Sequence, residues 1–501
     1  MYIIAYDLGT GGVKASLYNE SVSTVAKSFF EYETCYPRSN WHEQRPEDWW
    51  NGVVRSTQAL LSKAQIPGEA VDCLVLSGHS LVVVPIGHDL LPLAERVPIW
   101  SDTRADEQAR RFFETVSEEH WYMTTGNGFP APCYSLFKLM WLKENRPELY
   151  QKIYKVLGSK DYINFRLTGM LATDPSYASG IGAYDLIKHT LRDDFLAAAG
   201  IDRSIFPEIV PSHTLLGNLT PEAAEALGLS QNVKVACGGV DNACMALGAV
   251  GASPNRVYTS LGSSSWIPVN SNKPALDFKT KPYVFEHIAE NMYTSAYSIF
   301  SGGSSFQWVR NNLCKDFCDQ EGAYDIMSSL AAKSPIGANG IFFNPSLAGG
   351  TSQDKSINIR GAFVGLHLGT TREDMIRASM EGIALNLKMS LRLLEKLVPV
   401  EGDILFSGGG SRNPFWMQVF ADIFGRNIIK TNIDQDAASL GAAAIAARAP
   451  GRWYDYEPLQ GLQHVLAIYH PIEENRLMYQ KISDDFVKVN NAIAELGDIL
   501  C

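Results

Sequence analysis

No stretch of the 501-residue chain approaches the roughly 18 consecutive apolar residues that cross a bilayer, and MYIIAYDLGTGG lacks the basic-then-apolar pattern of a cleavable export signal. A soluble, cytoplasmic protein is expected. Positive charge is in deficit: 43 Lys and Arg stand against 54 Asp and Glu, a formal charge of −11. Such a surface draws neither nucleic acid nor an anionic membrane, so the expected partners are small molecules. Cysteine is sparse and unpatterned. Cys35, Cys73, Cys133, Cys237, Cys244, Cys314, Cys318 and Cys501 form no disulfide framework and read as reduced thiols. Cys314 and Cys318 lie close, but no histidine or second cysteine pair completes a tetrahedral zinc site. The ten histidines make no HExxH pattern, which disfavours a metal hydrolase. Neither GxxxxGK[ST] nor HRD occurs, so P-loop and protein-kinase machinery are disfavoured. The first glycine-rich loop, DLGTGGVKAS, is not the GxGxxG of a dinucleotide fold, which argues against an oxidoreductase.

What is present is an ordinary globular composition, 46% hydrophobic and 19% charged, on a chain too long for one core. Two α/β domains are expected. Residues 2 to 6 (YIIAY) read as a buried strand, Asp7 to Gly12 as a turn, and Val13 to Tyr18 as the returning strand. Arg256 to Thr259, Ser260 to Ser264 and Ser265 to Val269 repeat that hairpin. Asp7-Leu8-Gly9-Thr10 stands opposite Ser260-Leu261-Gly262-Ser263 at an offset of 260 − 7 = 253 residues, about half the chain. Strand-like runs (Cys73 to Leu76, Val233 to Ala236, Ile404 to Phe406) alternate with amphipathic stretches (Phe137 to Glu144, Pro414 to Phe424) in an α/β rhythm. The last places Trp416, Val419, Phe420 and Ile423 on one face, with Asn413 as its cap. The pattern breaks at Gly248 to Asn255, which sets the expected domains at 1–250 and 251–501.

Three glycine loops follow strands: Asp7 to Gly12, Leu261 to Ser264 and Gly408 to Ser411. Glycine lets backbone N–H groups approach a phosphate closely, and the third loop leads into a helix whose N-terminus favours anions. Asp7, ending its strand beside the first loop, could hold magnesium directly or through water; the alternative is an Asx-type turn residue. Asp241, in VACGGVDNACMALGAV, follows a strand and starts a small-residue helix. Phosphoryl transfer needs positioning, charge neutralisation and a carboxylate to take a proton, which Asp241 could supply, the helix N-terminus favouring its ionised form. An N-cap needs the same residue in the same place.

With these loops in place, the chain resembles the FGGY carbohydrate kinases, within the actin, hexokinase and Hsp70-type ATPase fold. GAFVGLHLGTTREDMIRASMEG is similar to the family's C-terminal signature, with Gly361, Phe363, Gly365, Asp374, Ala378 and Glu381 in step. YSLFKLMWLKEN resembles the N-terminal signature through Lys138 and Trp141, Cys133 standing where the family has another residue type. WHEQRPEDWW, Trp41 to Trp50, resembles its early segment. The resemblance implies two ribonuclease H-like, actin-like ATPase domains flanking a deep cleft that closes by hinge motion, with ATP and Mg2+ as cofactors. By matching segments, Asp7 would assist the metal, Thr10 and Gly11 would contact phosphate, Gly262 and Ser263 would form the second phosphate loop, and Gly409, Gly410 and Asn413 would line the adenosine pocket. Asp241 would be the base. Pairing through the C-terminal half is common in the family, which allows a homodimer.

The sugar end departs from the pattern. The strand Cys73 to Leu76 is followed in relatives by Met-His or Arg-Glu; here the text is SGHSL. Either His79 supplies a displaced imidazole, or Ser80 and Leu81 take the pair's places. Trp100, Asp102 and Arg104 in IWSDTRA resemble the next segment, where Asp102 would orient sugar hydroxyls, or make a surface ion pair with Arg104. The implied activity is phosphorylation of a ketopentose-like sugar, xylulose first, with a hexulose or a polyol (fuculose, erythritol, glycerol) as rivals. A sugar-independent ATPase switch of the actin or chaperone type is the alternative of another class.

Overall fold

The computed structural model describes residues 2–433 and 436–500, so Cys501 lies outside the described residues. The seven cysteines within them are free thiols, and no helix among the described residues is long and apolar enough to cross a membrane.

The chain opens with the hairpin β1 (Tyr2–Leu8) and β2 (Gly12–Tyr18), extended by β3 (Thr24–Glu31). After α1 (Pro46–Ala64) come β4 (Val71–Gly78), α2 (Ser135–Asn145), α3 (Ser159–Thr168), β5 (Leu215–Asn218) and β6 (Lys234–Val240), which runs straight into α4 (Asp241–Val250). The sheet order is β5-β6-β4-β1-β2-β3. Residues Ile3, Ile4, Ala5 and Tyr6 are all buried, as a strand covered on both faces must be. Ile4, Tyr6 and Leu8 pack with Trp49, Val53 and Leu60 of α1.

A second sheet follows: β7 (Val257–Leu261), β8 (Ser265–Ser271), β9 (Tyr293–Ile299), then α5 (Gly302–Leu313), α6 (Arg372–Leu394), β10 (Ile404–Ser407), α7 (Pro414–Phe424), β11 (Ile428–Thr431), α8 (Ala437–Arg448), β12 (Val465–Tyr469) and α9 (Glu473–Leu500). Six consecutive strands run β12-β11-β10-β7-β8-β9. This is the first sheet's order again. β1 and β7 each pair antiparallel with the next strand and parallel with the strand after the long connection (β4, β10), whose other neighbour (β6, β11) is parallel too. The outermost strands β5 and β12 are antiparallel in both. The last paired residues of the two hairpins, Leu8 and Leu261, stand 261 − 8 = 253 apart, and the second turn is one residue shorter, since Leu8 faces Val13 while Leu261 faces Ser265.

Two compact units result: Met1–Ala252 with Val284–Thr294 and Asp436–Leu462, and Ser253–Tyr283 with Ser295–Gln435 and Gln463–Cys501. No single cut separates them. The segment from Asp436 counts in the first because α8 packs on α4 and β1. At that contact a Cβ on Gly248 would lie 1.9 Å from the Ala437 carbonyl oxygen, and one on Gly441 would lie 1.9 Å from that of Cys244. Bare backbone on both helices lets them touch. In the second unit α6 and α7 build the core with Ile376, Ile383, Phe406, Trp416 and Phe420. The run Gly361 to Gly382 has a structural logic there. Thr371 and Asp374 form a capping box on α6, while Glu381 accepts from Arg377 Nε (2.7 Å) and the Tyr479 hydroxyl (2.6 Å). A Cβ on Gly382 would stand 2.0 Å from the Phe343 carbonyl oxygen.

Candidate active site

In the first unit the turn after β1 is built from carbonyls facing the protein. Gly9 O accepts from the Tyr32 hydroxyl (2.5 Å), Thr10 O from Gln44 Nε2 (2.6 Å), Gly11 O from the Tyr32 amide (3.4 Å) and Gly12 O from the Gly9 amide (3.0 Å). Turned this way, the peptides aim N–H groups outward. No protein group among the described residues accepts from the amides of Thr10 and Gly11. A loop with satisfied carbonyls and free amides suits an anion. Trp100 Nε1 donates to Thr10 Oγ1 at 2.9 Å, adding a prop that sequence reading did not supply.

Asp7 and Leu8 lie in β1, not in the turn as the pattern suggested, because Asp7 is in ladder register with Lys14 and with Ser77. The Asx-turn alternative is therefore excluded. The half-buried Asp7 carboxylate accepts from Ser77 Oγ at 3.1 Å and has its pKa raised, mainly by burial and against the pull of Lys14. Lys14 and Lys27 both pair with Asp436, a residue the sequence reading did not single out. No local pattern could have found it, since it comes from the far end of the chain.

Asp241 is the first residue of α4, and the cap position is Val240, which makes no side-chain cap bond. The N-cap reading fails on that geometry. Its carboxylate accepts from the neighbouring Asn242 amide at 2.7 Å. Its pKa is raised to about 7, first by burial and then by the Asp7 carboxylate, against the Asn242 amide. The expected stabilisation of the ion by the helix N-terminus is thus present in sign and outweighed in size. An acid that ionises near neutral pH suits proton transfer.

His79 is 2% exposed. Its amide and its Nδ1 (3.0 Å) both reach Leu8 O, its ring meets Trp49 edge-on, and Nε2 is buried without a protein partner. Burial lowers its pKa to about 4, so the ring is neutral and, with Nδ1 donating, Nε2 is an acceptor. Trp49 Nε1 donates to Gln44 Oε1 (2.9 Å), so the WHEQRPEDWW segment braces the glycine turn through Gln44 and the histidine through Trp49. Ser80 is buried beside His79. Asp102 does pair with Arg104, but at 0% exposure, so the surface ion pair is corrected to a buried one. Arg104 Nε and backbone amide reach Oδ1 (2.9 and 3.1 Å), while Arg104 Nη2 and the His42 amide reach Oδ2 (both 2.7 Å). All of Asp102's strong acceptor directions are spent on protein. The guanidinium is stacked on Trp41 and bonded to Glu43.

In the second unit a cavity of about 540 Å³ brings Gly262, Ser263, Gly409, Gly410 and Asn413 together with Phe306, Tyr324 and Trp416. Asn413 caps α7 through Trp416 N (2.9 Å), as its place before Pro414 predicts. Gly408 to Ser411, expected as a glycine loop, holds a short 3-10 turn over Gly409–Arg412. A Cβ on Gly409 would meet nothing within 4 Å, whereas one on Gly410 would meet Leu261 Cδ2 at 2.4 Å. The turn Gly262–Ser264 is held by α5, whose Gly303 and Ser304 amides bond Gly262 O (2.8 Å) and Ser263 O (3.0 Å). SGGSS at 301–305 was the legible signal for that contribution.

The model of the N-terminal domain of the FGGY family of carbohydrate kinases matches residues 2–248, and that of the C-terminal domain matches 257–450. The chain is 30% identical to the xylulose kinase of Bacillus subtilis (strain 168), covering all of this chain and 98% of the relative. Among solved structures, the gluconate kinase of Lactobacillus acidophilus superposes with a TM-score of 0.93 at 26% identity, covering 100% of this chain and 99% of that one. The ligand-bound xylulose kinase of the same organism gives the same TM-score and identity, with both chains fully covered.

Proposed function

The chain belongs to the FGGY family of carbohydrate kinases, and from that premise we propose that it transfers the γ-phosphoryl group of ATP to a hydroxyl of xylulose, with gluconate as the second candidate because a gluconate kinase is as close in structure. The observation that carries the reading is Asp241: a half-buried carboxylate at a strand end, tuned to about 7 by burial and by Asp7. Ionised, it takes the proton of the attacking hydroxyl as the oxygen–phosphorus bond forms; the bond from the γ-phosphorus to the bridging oxygen breaks, and ADP leaves. The free amides of Thr10 and Gly11 hold phosphate oxygens. Gly262 and Ser263 serve as the second phosphate loop, and Gly409, Gly410 and Asn413 line the adenosine pocket, whose size and aromatic walls suit a purine. Asp7 offers a hard oxygen donor fixed by Ser77, and its repulsion of Asp241 is what a cation would relieve, so the residues fit Mg2+. When bound, the ion would neutralise phosphate charge. His79, neutral and with its buried Nε2 acceptor unpartnered, is assigned with Ser80 to the sugar side of the site. Asp102 acts through Arg104 and His42, keeping the 99–104 loop in place.

An ADP-release assay over xylulose, gluconate, hexuloses, glycerol and erythritol tests this. Turnover stimulated by xylulose above the others is expected. Hydrolysis indifferent to every sugar would overturn the proposal and favour an ATPase switch.

A further inference from the structure

Beneath Asp241 lies a buried charge cluster that none of the roles above uses. Lys160, at the start of α3, is 0% exposed, and its ammonium pairs with Asp161 Oδ1 (2.6 Å) and Asp174 Oδ1 (3.0 Å). Asp174 Oδ2 accepts from Ser176 N (3.0 Å), Ser176 Oγ (2.5 Å) and Ser212 Oγ (2.9 Å). Ser176 Oγ in turn accepts from the Val240 amide at 2.9 Å. Val240 is the residue immediately before Asp241.

That bond falls at the last residue of β6, just past an irregularity in its pairing. The register against β4 slips between Ala236 and Gly239, and Gly238 sits at φ +75°, where a Cβ would stand 2.0 Å from Leu76 O. A Cβ on Gly239 would meet Ile288 Cδ1 at 2.3 Å and Ser176 Oγ at 3.2 Å, so this stretch of backbone is closely packed on that side. Pairing with β4 resumes at Gly239 and Val240, opposite Ser77 and Gly78, and ends there with the strand. The Ser176 hydroxyl adds a hold on the Val240 amide, in the peptide just before the one that carries Asp241. The same helix start steadies the other strand end, for Ser159 Oγ donates to His79 O at 2.8 Å.

Two buried carboxylates and one ammonium are a costly arrangement for stability alone, since well-packed apolar residues commonly replace buried ion pairs at no loss. Here one atom of the cluster, Ser176 Oγ, reaches the backbone one residue before the base. We propose that Ser176, held by Asp174 and through it by Lys160, is a positioning residue that fixes the orientation of the Asp241 carboxylate during phosphoryl transfer. The proposal rests on Asp241 being the base.

The test is a double-mutant cycle on the full chain, Ser176→Ala and Asp241→Asn singly and together, with kcat and both KM values measured on xylulose and ATP. Ser212→Ala, which removes a similar bond from Asp174 without touching Val240, is the matched control. Loss of aim should lower kcat of Ser176→Ala by about tenfold to a hundredfold, with both KM values near wild type. Added to Asp241→Asn, it should cost nothing further, because the group it aims is gone. A near-normal kcat in Ser176→Ala, or a loss matched by Ser212→Ala, or one that persists in full on the Asp241→Asn background, overturns the positioning role. Near-normal turnover of Asp241→Asn alone overturns the base assignment instead. If Ser176→Ala does not fold, Ser176→Cys, whose sulfur is only a weak acceptor for the Val240 amide and a weak donor to Asp174, is read in the same cycle with the same outcomes.

Discussion

Replacing Asp241 with Asn should make the protein more stable at pH 8 while removing its catalysis. The folded carboxylate holds its proton up to about pH 7, against 3.8 when freely solvated, a difference worth about 4 kcal/mol at about 1.4 kcal/mol per tenfold in proton affinity. Between those values the folded state binds more protons than the unfolded one, so ionisation of Asp241 lowers stability as pH rises. The cost is absent near pH 4, grows through the interval and is complete above about 7. Asn cannot ionise, and its amide oxygen can keep the bond from the Asn242 amide. Urea unfolding of both proteins without nucleotide or magnesium should therefore show the variant's advantage widening by about 2 to 3 kcal/mol between pH 5 and pH 8. The figure is an upper range, since water reaches part of the carboxylate. A difference that does not change with pH, or a variant less stable than wild type at pH 8, would refute the reasoning that burial and Asp7 oppose this charge.

The pH profile of kcat/KM should fall as pH drops below about 7, where Asp241 takes its proton, and in Asp7→Asn the midpoint of the residual activity should move lower because a neighbouring negative charge is gone. Gly409→Val projects into open cavity rather than into protein, so KM for ATP should rise about tenfold or more while KM for the sugar and the melting temperature stay unchanged. Gly441→Ala gains roughly 1 kcal/mol of helix propensity but drives a methyl into the Cys244 carbonyl; a net destabilisation of about 1–3 kcal/mol, read by urea unfolding, is expected. Asp102→Asn leaves the buried Arg104 with one carboxylate instead of two, and about 3 kcal/mol or more should be lost.

Much of this molecule was written locally. The two hairpins, the 253-residue repeat, the helix capped by Asn413 and the glycine turns all follow from apolar periodicity and turn chemistry, which depend on residues a few positions apart. The acids at strand ends, Asp7 and Asp241, were legible as candidates for the same reason. Their state was not. Whether Asp241 sits at N-cap or N1, and whether it ionises at 4 or at 7, depends on burial and on Asp7, 234 residues away in the chain. Asp102 and Arg104 were visible as a pair, but only packing around Trp41 and His42 turned a surface pair into a buried one. Asp436 on Lys14 and Lys27, α8 in the first unit, and the line from Lys160 through Ser176 to Val240 left no local trace. Electrostatics and close packing join residues by distance in space, and only the fold sets that distance.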